Sequence, residues 1–323
     1  MTEFELISRL IPWLHTNPTV VAGAGDDCAI LDLGMLDGLL LLKTDAIVEG
    51  VHFTREAGPD KIGHKALARC LSDVAAMAGT PSHALVTIGL PKDFDPAFVE
   101  AIYVGLNRLA KRYDVAVAGG ETTLNPERIF ISVSVLGKVA RGKYVLRSGA
   151  KPCDAIFVTG ELGGSLSGKH LEFEPRVAEG RWLAEHFAIH SMIDVSDGLA
   201  GDLRHLLGTR ELGAELLASA IPISRAARNK SKGIRIDAGD GVLSAHAAGS
   251  KPALLAALTD GEDFELLFTV ASQDAVTLLD AWRRHFPELR LSCIGKILSE
   301  PGVFLKDKEG VRSLVAHGYV HFA

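Results

Sequence analysis

The sequence predicts a mixed α/β protein, because apolar segments typical of strands alternate with longer amphipathic segments typical of helices. Residues 61–78 carry apolar side chains at helical spacing, and Gly79-Thr80-Pro81 ends that pattern. Residues 83–90 and 129–139 alternate between apolar and polar positions, which is typical of strands. We therefore expect an α/β or α+β layout in which strands and helices interleave.

Further segments extend this layout on both sides of the polar stretch 138–151, which we interpret as a linker. We expect a strand over 39–44 that ends at Asp45, and a helix capped by Asp95 with Pro96 at its first position. The other predicted elements are a helix near the N-terminus, strands over 115–118, 155–159, 189–195 and 264–270, and helices over 199–207 and 274–284. The chain is expected to form two domains, 1–140 and 150–323.

Composition excludes several classes of partner. The chain has 323 residues with 34 basic and 40 acidic side chains, a net charge of −6, and no basic run that would suit a nucleic acid. No apolar run approaches the ~20 residues that span a bilayer. The 4 cysteines are far apart and form no metal-binding pair, which is typical of reduced thiols. We expect a cytoplasmic protein that binds neither nucleic acid nor membrane.

Two adjacent carboxylates, Asp26 and Asp27, follow the glycine-rich turn Gly23-Ala24-Gly25. Like charges ~4 Å apart repel by about 4 kcal/mol at a protein-like dielectric. Taken alone, the pair is compatible with a solvated turn. Similar motifs, each with a carboxylate beside a hydroxyl or glycine, favour a metal site: Thr44-Asp45, Ser72-Asp73, Gly119-Gly120-Glu121 and Asp194-Val195-Ser196-Asp197-Gly198.

Asp73 is expected close to the buried stripe of the predicted helix 61–78, so its carboxylate should meet a cation or several donors. Hard oxygen ligands without clustered His or Cys select Mg²⁺. Magnesium in proteins is commonly shared with substrate phosphates, which indicates phosphoryl chemistry.

Two glycine-rich motifs are weaker signals. Gly163-Gly164-Ser165-Leu166-Ser167-Gly168-Lys169-His170 differs from a P-loop because His170 stands where Ser or Thr would hold magnesium. Gly23-x-Gly25-x-x-Cys28 lacks the third glycine of the dinucleotide fingerprint, and its carboxylates stand where a pyrophosphate would bind. We favour neither reading.

The order of motifs resembles the thiamine-monophosphate kinase family. The motifs are Gly25-Asp26-Asp27, Thr44-Asp45 with Glu49-Gly50-Val51-His52-Phe53, Leu71-Ser72-Asp73-Val74-Ala75-Ala76-Met77, Gly119-Gly120-Glu121-Thr122-Thr123, Arg147-Ser148-Gly149-Ala150, Ile193-Asp194-Val195-Ser196-Asp197-Gly198-Leu199 and Gly261-Glu262-Asp263-Phe264-Glu265-Leu266. The resemblance covers nearly the whole chain. It implies an aminoimidazole ribonucleotide synthetase-like fold of two domains, whose N-terminal domains pair in a homodimer with a shared β-barrel.

The resemblance also implies an activity, transfer of the γ-phosphoryl group of ATP onto thiamine monophosphate with several Mg²⁺ ions. The residues implied around the metal are Asp27, Lys43, Thr44, Asp45, Asp73, Glu121, Asp194 and Asp197. Those implied in catalysis are Asp45, Asp73, Arg147 and Asp197.

By the same resemblance, ATP would contact Gly120, Glu121, Arg147 and Ser196. The thiamine phosphate would contact His52, Glu262 and Tyr319.

Four positions depart from the family pattern. Glu121 stands where Asp is usual, Asp260 where Gly is usual, and Ala316 where an aromatic residue is frequent. Lys43 stands where Ser is frequent, and it either replaces the charge of one ion or points away. Two alternatives therefore stay open: another ATP-using enzyme of the same superfamily, or a non-catalytic nucleotide-binding homologue.

Overall fold

The computed structural model describes residues 3–14, 16–35, 37–208, 212–230 and 251–315. The helices are α1 (Glu3–Leu10), α2 (Pro59–Ala76), α3 (Pro96–Arg112), α4 (Lys169–Glu172), α5 (Val177–His186), α6 (Leu199–Leu207), α7 (Arg225–Lys230), α8 (Ala253–Thr259) and α9 (Ala275–His285). The strands are β1 (Val20–Ala22), β2 (Ala29–Leu31), β3 (Leu39–Val48), β4 (Thr80–Leu90), β5 (Ala116–Leu124), β6 (Phe130–Val139), β7 (Ala155–Thr159), β8 (Ile189–Asp194), β9 (Gly213–Leu217), β10 (Leu266–Val270), β11 (Leu291–Leu298), β12 (Gly302–Asp307) and β13 (Gly310–Ser313). The predicted mixed α/β class is confirmed.

The chain forms two compact units, each built around one sheet. The N-terminal unit comprises Thr16–Tyr144 and Gly168–Trp182, and the C-terminal unit comprises Met1–His15, Val145–Ser167 and Leu183–Ala323. Both units are thus assembled from separate stretches of chain, and the change from one to the other at Tyr144 falls inside the predicted linker. The division into functional domains at 1–140 and 150–323 stays a prediction.

The N-terminal unit holds a six-stranded sheet in the order β1-β2-β3-β6-β4-β5. Strands β4 and β5 pair in parallel, and the other neighbours pair antiparallel. Helix α2 packs on β3, β6 and β4, and α3 packs on α2. The two helices approach closely at Gly105, where a Cβ atom would lie 1.7 Å from the carbonyl oxygen of Asp60.

Side chains of β3 alternate between the two faces of this sheet. Leu41 and Ile47 are buried against α2, whereas Leu42 and Thr44 are exposed on the other side. We call these the inner and outer faces. The inner face between Leu41 and Ile47 carries Lys43 and Asp45, which sets two charged groups into an otherwise apolar row.

The strand that carries Asp45 is longer than predicted. We expected it to end at Asp45, but β3 continues to Val48 because β6 pairs with it along its whole length, from Leu39 opposite Val139 to Val48 opposite Phe130. Asp45 therefore lies within the strand. In the same way β5 runs through Gly120 and Glu121, since β4 pairs with it in parallel there.

The C-terminal unit holds a seven-stranded sheet in the order β13-β12-β9-β11-β7-β10-β8. Strands β7 and β10 are neighbours within this sheet and are buried at every position. Phe157 and Phe268 stack there with ring centroids 5.5 Å apart. This apolar sheet fixes the end of β8, where Asp194 is the last residue.

Most predicted elements are present within a few residues of their expected bounds. Asp95 caps α3, because its carboxylate accepts the amide hydrogen of Ala97 at 2.9 Å.

Within the described ranges, no helix combines the length and apolar character that a bilayer crossing requires. All 4 cysteines carry free thiols.

Candidate functional site: buried carboxylates in each unit

Asp27 and Asp73 are brought together in the N-terminal unit. Both residues are buried, Asp27 with 1% and Asp73 with 6% of its surface exposed. A carboxylate oxygen of Asp27 lies within 4.8 Å of one of Asp73. Asp27 reaches this position from the turn before β2, and Asp73 from the buried stripe of α2. A buried pair of like charges requires a cation nearby.

Lys43 and Arg69 supply positive charge to this cluster. Lys43 Nζ lies 2.9 Å from Asp73 Oδ1, and Arg69 Nε lies 3.0 Å from Asp45 Oδ2. The prediction that the Asp73 carboxylate meets a cation is confirmed. Burial disfavours the charged form of Lys43, but Asp73, Asp45 and Asp27 outweigh burial and raise the pKa of its ammonium group. Lys43 therefore stays charged, and it points into the cluster.

The side chains of Thr44 and Glu121 lie on the opposite face of the same sheet. The Thr44 side chain faces outward and is hydrogen-bonded to Ser134, whose hydroxyl donates at 3.0 Å. Glu121 pairs with Thr87 at the exposed edge strand, and Thr87 pairs with Ser132 on the outer face. The structure thus gathers Asp27, Lys43, Asp45 and Asp73 near the inner face, and leaves the side chains of Thr44 and Glu121 on the outer one.

Gly120 occupies a position that admits no side chain. Its φ is +156°, and a Cβ atom would lie 1.8 Å from the carbonyl oxygen of Val86. The backbone of β5 is therefore bare at this point, as a segment that approaches a ligand closely would need to be.

His52 lies in the turn after β3, where hydrogen bonds of its ring and of its carbonyl oxygen help to hold it. Its Nδ1 accepts the amide hydrogen of Val48 at 3.1 Å, so the ring proton is on Nε2. Its carbonyl oxygen accepts a hydrogen bond from Lys65 Nζ at 2.7 Å. Lys65 is fully buried on α2, and its ammonium group also contacts Nδ1 of His170 at 2.9 Å.

The C-terminal unit has a second group of carboxylates, around the start of α6. Asp194 is buried with 3% exposed, and Asp197 follows it after a short turn. Asp202 accepts the amide hydrogens of Asp197 at 3.1 Å and Gly198 at 3.0 Å. Burial, together with Asp197 and Asp194, raises the pKa of Asp202, while Arg147 acts in the opposite direction. Arg147 is half-buried in this unit.

Glu262 lies on a strained segment that is tied to Ser196. Its φ is +53°, and its amide donates to the carbonyl oxygen of Ser196 at 2.6 Å. The hydroxyl of Ser165 donates to the carbonyl oxygen of Glu262 at 2.6 Å. The segment with Glu262 and the turn with Ser196, both predicted to bind ligands, are thus neighbours in space.

In the loop whose sequence is similar to a P-loop, backbone amides donate hydrogen bonds to carboxylates of the protein itself. The amide of Gly163 donates to both oxygens of Asp263, at 2.8 and 3.0 Å, and the amide of Gly164 donates to Asp260 at 3.0 Å. A P-loop needs such amides for phosphate. Asp260 also pairs with Lys251 at 3.0 Å, so this departure from the family pattern has a structural partner.

Tyr319 and Ala316 lie outside the described residues. Sequence reasoning missed Asp202 and Lys65. An acidic residue in the first turn of α6 after Gly198 could have indicated Asp202, because helix N-termini favour carboxylates. Lys65 gave no such signal, since a lysine beside an apolar stripe is usually exposed.

Comparison with known proteins identifies relatives along the whole chain. Residues 25–139 match the family model described as AIR synthase related protein, N-terminal domain. The chain is 37% identical over 312 residues to a thiamine-monophosphate kinase of Rhodopirellula baltica, with 94% of this chain and 92% of the relative covered. It is 34% identical over 345 residues to a thiamine-monophosphate kinase of Escherichia coli strain K12, with 99% and 98% covered.

Solved structures give the same result for the fold. The structure of AaThiL complexed with AMPPCP and TMP matches with a TM-score of 0.80 at 29% identity, covering 99% of this chain and 97% of that one. A similarity of this extent confirms the predicted aminoimidazole ribonucleotide synthetase-like fold.

The hydrogen bonds of Asp202 predict how this unit responds to substitution. Asp202→Ala removes the acceptor of two amide hydrogens, and we expect a loss of about 2 kcal/mol in the free energy of unfolding. Asp202→Asn keeps a carbonyl oxygen that can accept both, so its loss should be less than half as large. Urea denaturation followed by circular dichroism measures both values. Equal losses in the two variants would show that the two amides do not depend on this oxygen.

Proposed function

Because the chain belongs to the thiamine-monophosphate kinase family, we propose that it transfers the γ-phosphoryl group of ATP to thiamine monophosphate, giving thiamine diphosphate and ADP. The structural observation that carries this proposal is the buried pair Asp27 and Asp73. Such a pair is stable in the presence of cations, and Mg²⁺ shared with phosphates is the usual partner of carboxylates in phosphoryl transfer.

The donor set fits magnesium. The proposed ligands offer oxygen and no His or Cys, which is the preference of a hard cation. Magnesium, when bound, would neutralise the phosphates of ATP. We assign this role to Asp27, Asp45 and Asp73 on the inner face, to Asp194 and Asp197, and, at a separate position on the outer face, to Thr44 and Glu121.

The chain's own groups would bind and orient the two substrates. The bare backbone at Gly120 would let β5 approach ATP, with Glu121 beside it, and we assign Ser196 to ATP as well. Arg147 would stabilise negative charge on the transferring group. With its proton on Nε2, His52 can donate a hydrogen bond to the substrate phosphate. We assign Glu262 and Tyr319 to the thiamine phosphate as well.

The transfer itself would be direct and in line. The second pKa of a phosphate monoester is about 6, so the attacking oxygen is already largely ionised at neutral pH. A general base is then unnecessary. The difficulty is to bring two anions together, which positioning and positive charge achieve. In this scheme Asp45, Asp73 and Asp197 are catalytic through the cations that they hold, and Arg147 through direct contact.

The outer face of the N-terminal sheet supports a homodimer. Leu42 and Leu85 are 45% and 52% exposed there, beside hydroxyls such as that of Thr44. Pairing two such sheets in a shared barrel would bury these side chains. We propose that residues 1–140 provide ATP binding and dimerisation, and that residues 150–323 form the second domain. We also propose a cytoplasmic location, in keeping with the free thiols.

Cys28 argues against a selenophosphate synthetase-like alternative, which would need a reactive thiol near the N-terminal glycines. Burial, with Asp73 as the next cause, raises the pKa of Cys28, so its sulfur stays protonated and poorly nucleophilic. An assay of ADP release distinguishes the proposed kinase from a non-catalytic nucleotide-binding homologue.

The activity is tested by coupled measurement of ADP release with thiamine monophosphate, ATP and Mg²⁺. We expect turnover that requires all three. Folded protein that binds ATP by calorimetry but releases no ADP above background would contradict the kinase and favour the non-catalytic homologue.

Asp45→Asn and Asp73→Asn should each lower kcat by about a hundredfold or more. Each change removes a carboxylate that would hold a cation needed to stabilise the transition state. Circular dichroism should show that both variants keep the fold. Asp60→Asn provides a matched control, since Asp60 is only partly buried on the same helix as Asp73 and pairs with Arg108 at 2.8 Å. Full activity in both Asp45→Asn and Asp73→Asn would remove the assignment of these carboxylates to cation binding.

Lys169→Ala should change activity little, because we do not favour a P-loop at this loop. A large loss of ATP affinity in this variant would instead favour the P-loop interpretation.

A further inference from the structure

Lys43 occupies an unusual place for a lysine. It lies on the inner face of β3, in the row between buried Leu41 and Ile47. An apolar side chain would be ordinary at such a position, because burying an ammonium group is costly unless anions surround it. Here the anions are present, and the side chain is directed toward them rather than toward solvent.

The contacts of Lys43 are those of a cation in a carboxylate site. Its Nζ lies 2.9 Å from Asp73 Oδ1, with 21% of the lysine side chain and 8% of the aspartate side chain exposed. Asp45 and Asp27 also act on its charge. The ammonium group thus contacts Asp73 and is influenced by the charges of Asp45 and Asp27, three carboxylates to which magnesium binding was assigned.

This arrangement has a consequence for the metal. An oxygen that accepts a hydrogen bond from an ammonium group at this distance has less capacity to ligate an ion, and a second cation nearby would be repelled. Asp45 is already paired with Arg69 at 3.0 Å. Asp73 and Asp45 are therefore each already paired with a cationic side chain of this chain.

We infer that the ammonium group of Lys43 takes the place of one divalent ion at Asp73, so that this chain holds permanently a positive charge that would otherwise come from solution. The inference rests on the proposed function, since it assumes that the cluster serves a magnesium-bound phosphate. A charge supplied by the chain is present at any magnesium concentration. One ion fewer should then be needed to load the site.

The test counts metal ions on the full-length protein without nucleotide. Mn²⁺ is the probe, because the unbound ion is measured directly by electron paramagnetic resonance and the binding heat by calorimetry. Lys43→Met removes the charge and retains most of the volume. We expect it to bind one Mn²⁺ more per chain than the unaltered protein, or to bind Mn²⁺ at least tenfold more tightly. Lys43→Arg keeps the charge and should resemble the unaltered protein.

Two further variants locate the effect. In Lys43→Met combined with Asp73→Asn, the gain in Mn²⁺ binding should disappear, because Asp73 is the proposed ligand of the added ion. Lys61→Met removes a partly exposed lysine of α2 that pairs with Glu172 at 2.8 Å, and it should leave Mn²⁺ binding unchanged. Lys43→Gln replaces Lys43→Met if circular dichroism shows that the latter does not fold.

An unchanged number and affinity of Mn²⁺ in the charge-removing variant would overturn the inference, and so would a gain that persists without the Asp73 carboxylate. Failure of the proposed function is separately visible. ADP release by the unaltered protein together with unchanged Mn²⁺ binding in Lys43→Met overturns the role of Lys43 alone. A gain of Mn²⁺ binding without any ADP release supports that role and contradicts the kinase.

Discussion

The repulsion between buried carboxylates is the constraint on which the N-terminal unit depends. Asp27 and Asp73 have oxygens within 4.8 Å of each other in a buried setting, and Asp45 lies on the adjoining inner face. Their charges cannot be held there without cations. Lys43 and Arg69 meet part of this requirement from within the chain. We propose that divalent ions arriving with phosphates supply further positive charge to this cluster.

The C-terminal unit solves a related problem with backbone amides. Asp202 is 1% exposed and is stabilised by the amides of Asp197 and Gly198, which also fix the turn that carries Ser196. Asp263 holds the Gly163 amide in a comparable way. These carboxylates act on the protein itself, and they position neighbours that we assign to ATP. Both units thus use buried acids, one set for cations and the other for the shape of loops.

Much of this fold follows from local patterns, because α2, α3, β7 and α6 have strong periodicity and clear ends. Asp73 could be expected to meet a cation, since it lies in the apolar stripe of a helix. The length of β3 could not be foreseen, because its end depends on pairing with β6, which is distant in sequence. For the same reason the sequence left two orientations open for Lys43. Once β3 is known to run on to Val48, the alternation of side chains along a strand explains why Thr44 lies on the face opposite to that of Lys43 and Asp45. Asp202 and Lys65 depend on tertiary partners that a single sequence does not reveal.

The most direct test of this account is calorimetric titration of ATP into the full-length protein, with Mg²⁺ and in EDTA. Without divalent ions the buried acids should repel the triphosphate, so we predict measurable binding with Mg²⁺ and at least a hundredfold weaker binding in EDTA. Equal affinity under both conditions would contradict the central claim, because the phosphates would then be bound without the cations that these carboxylates require.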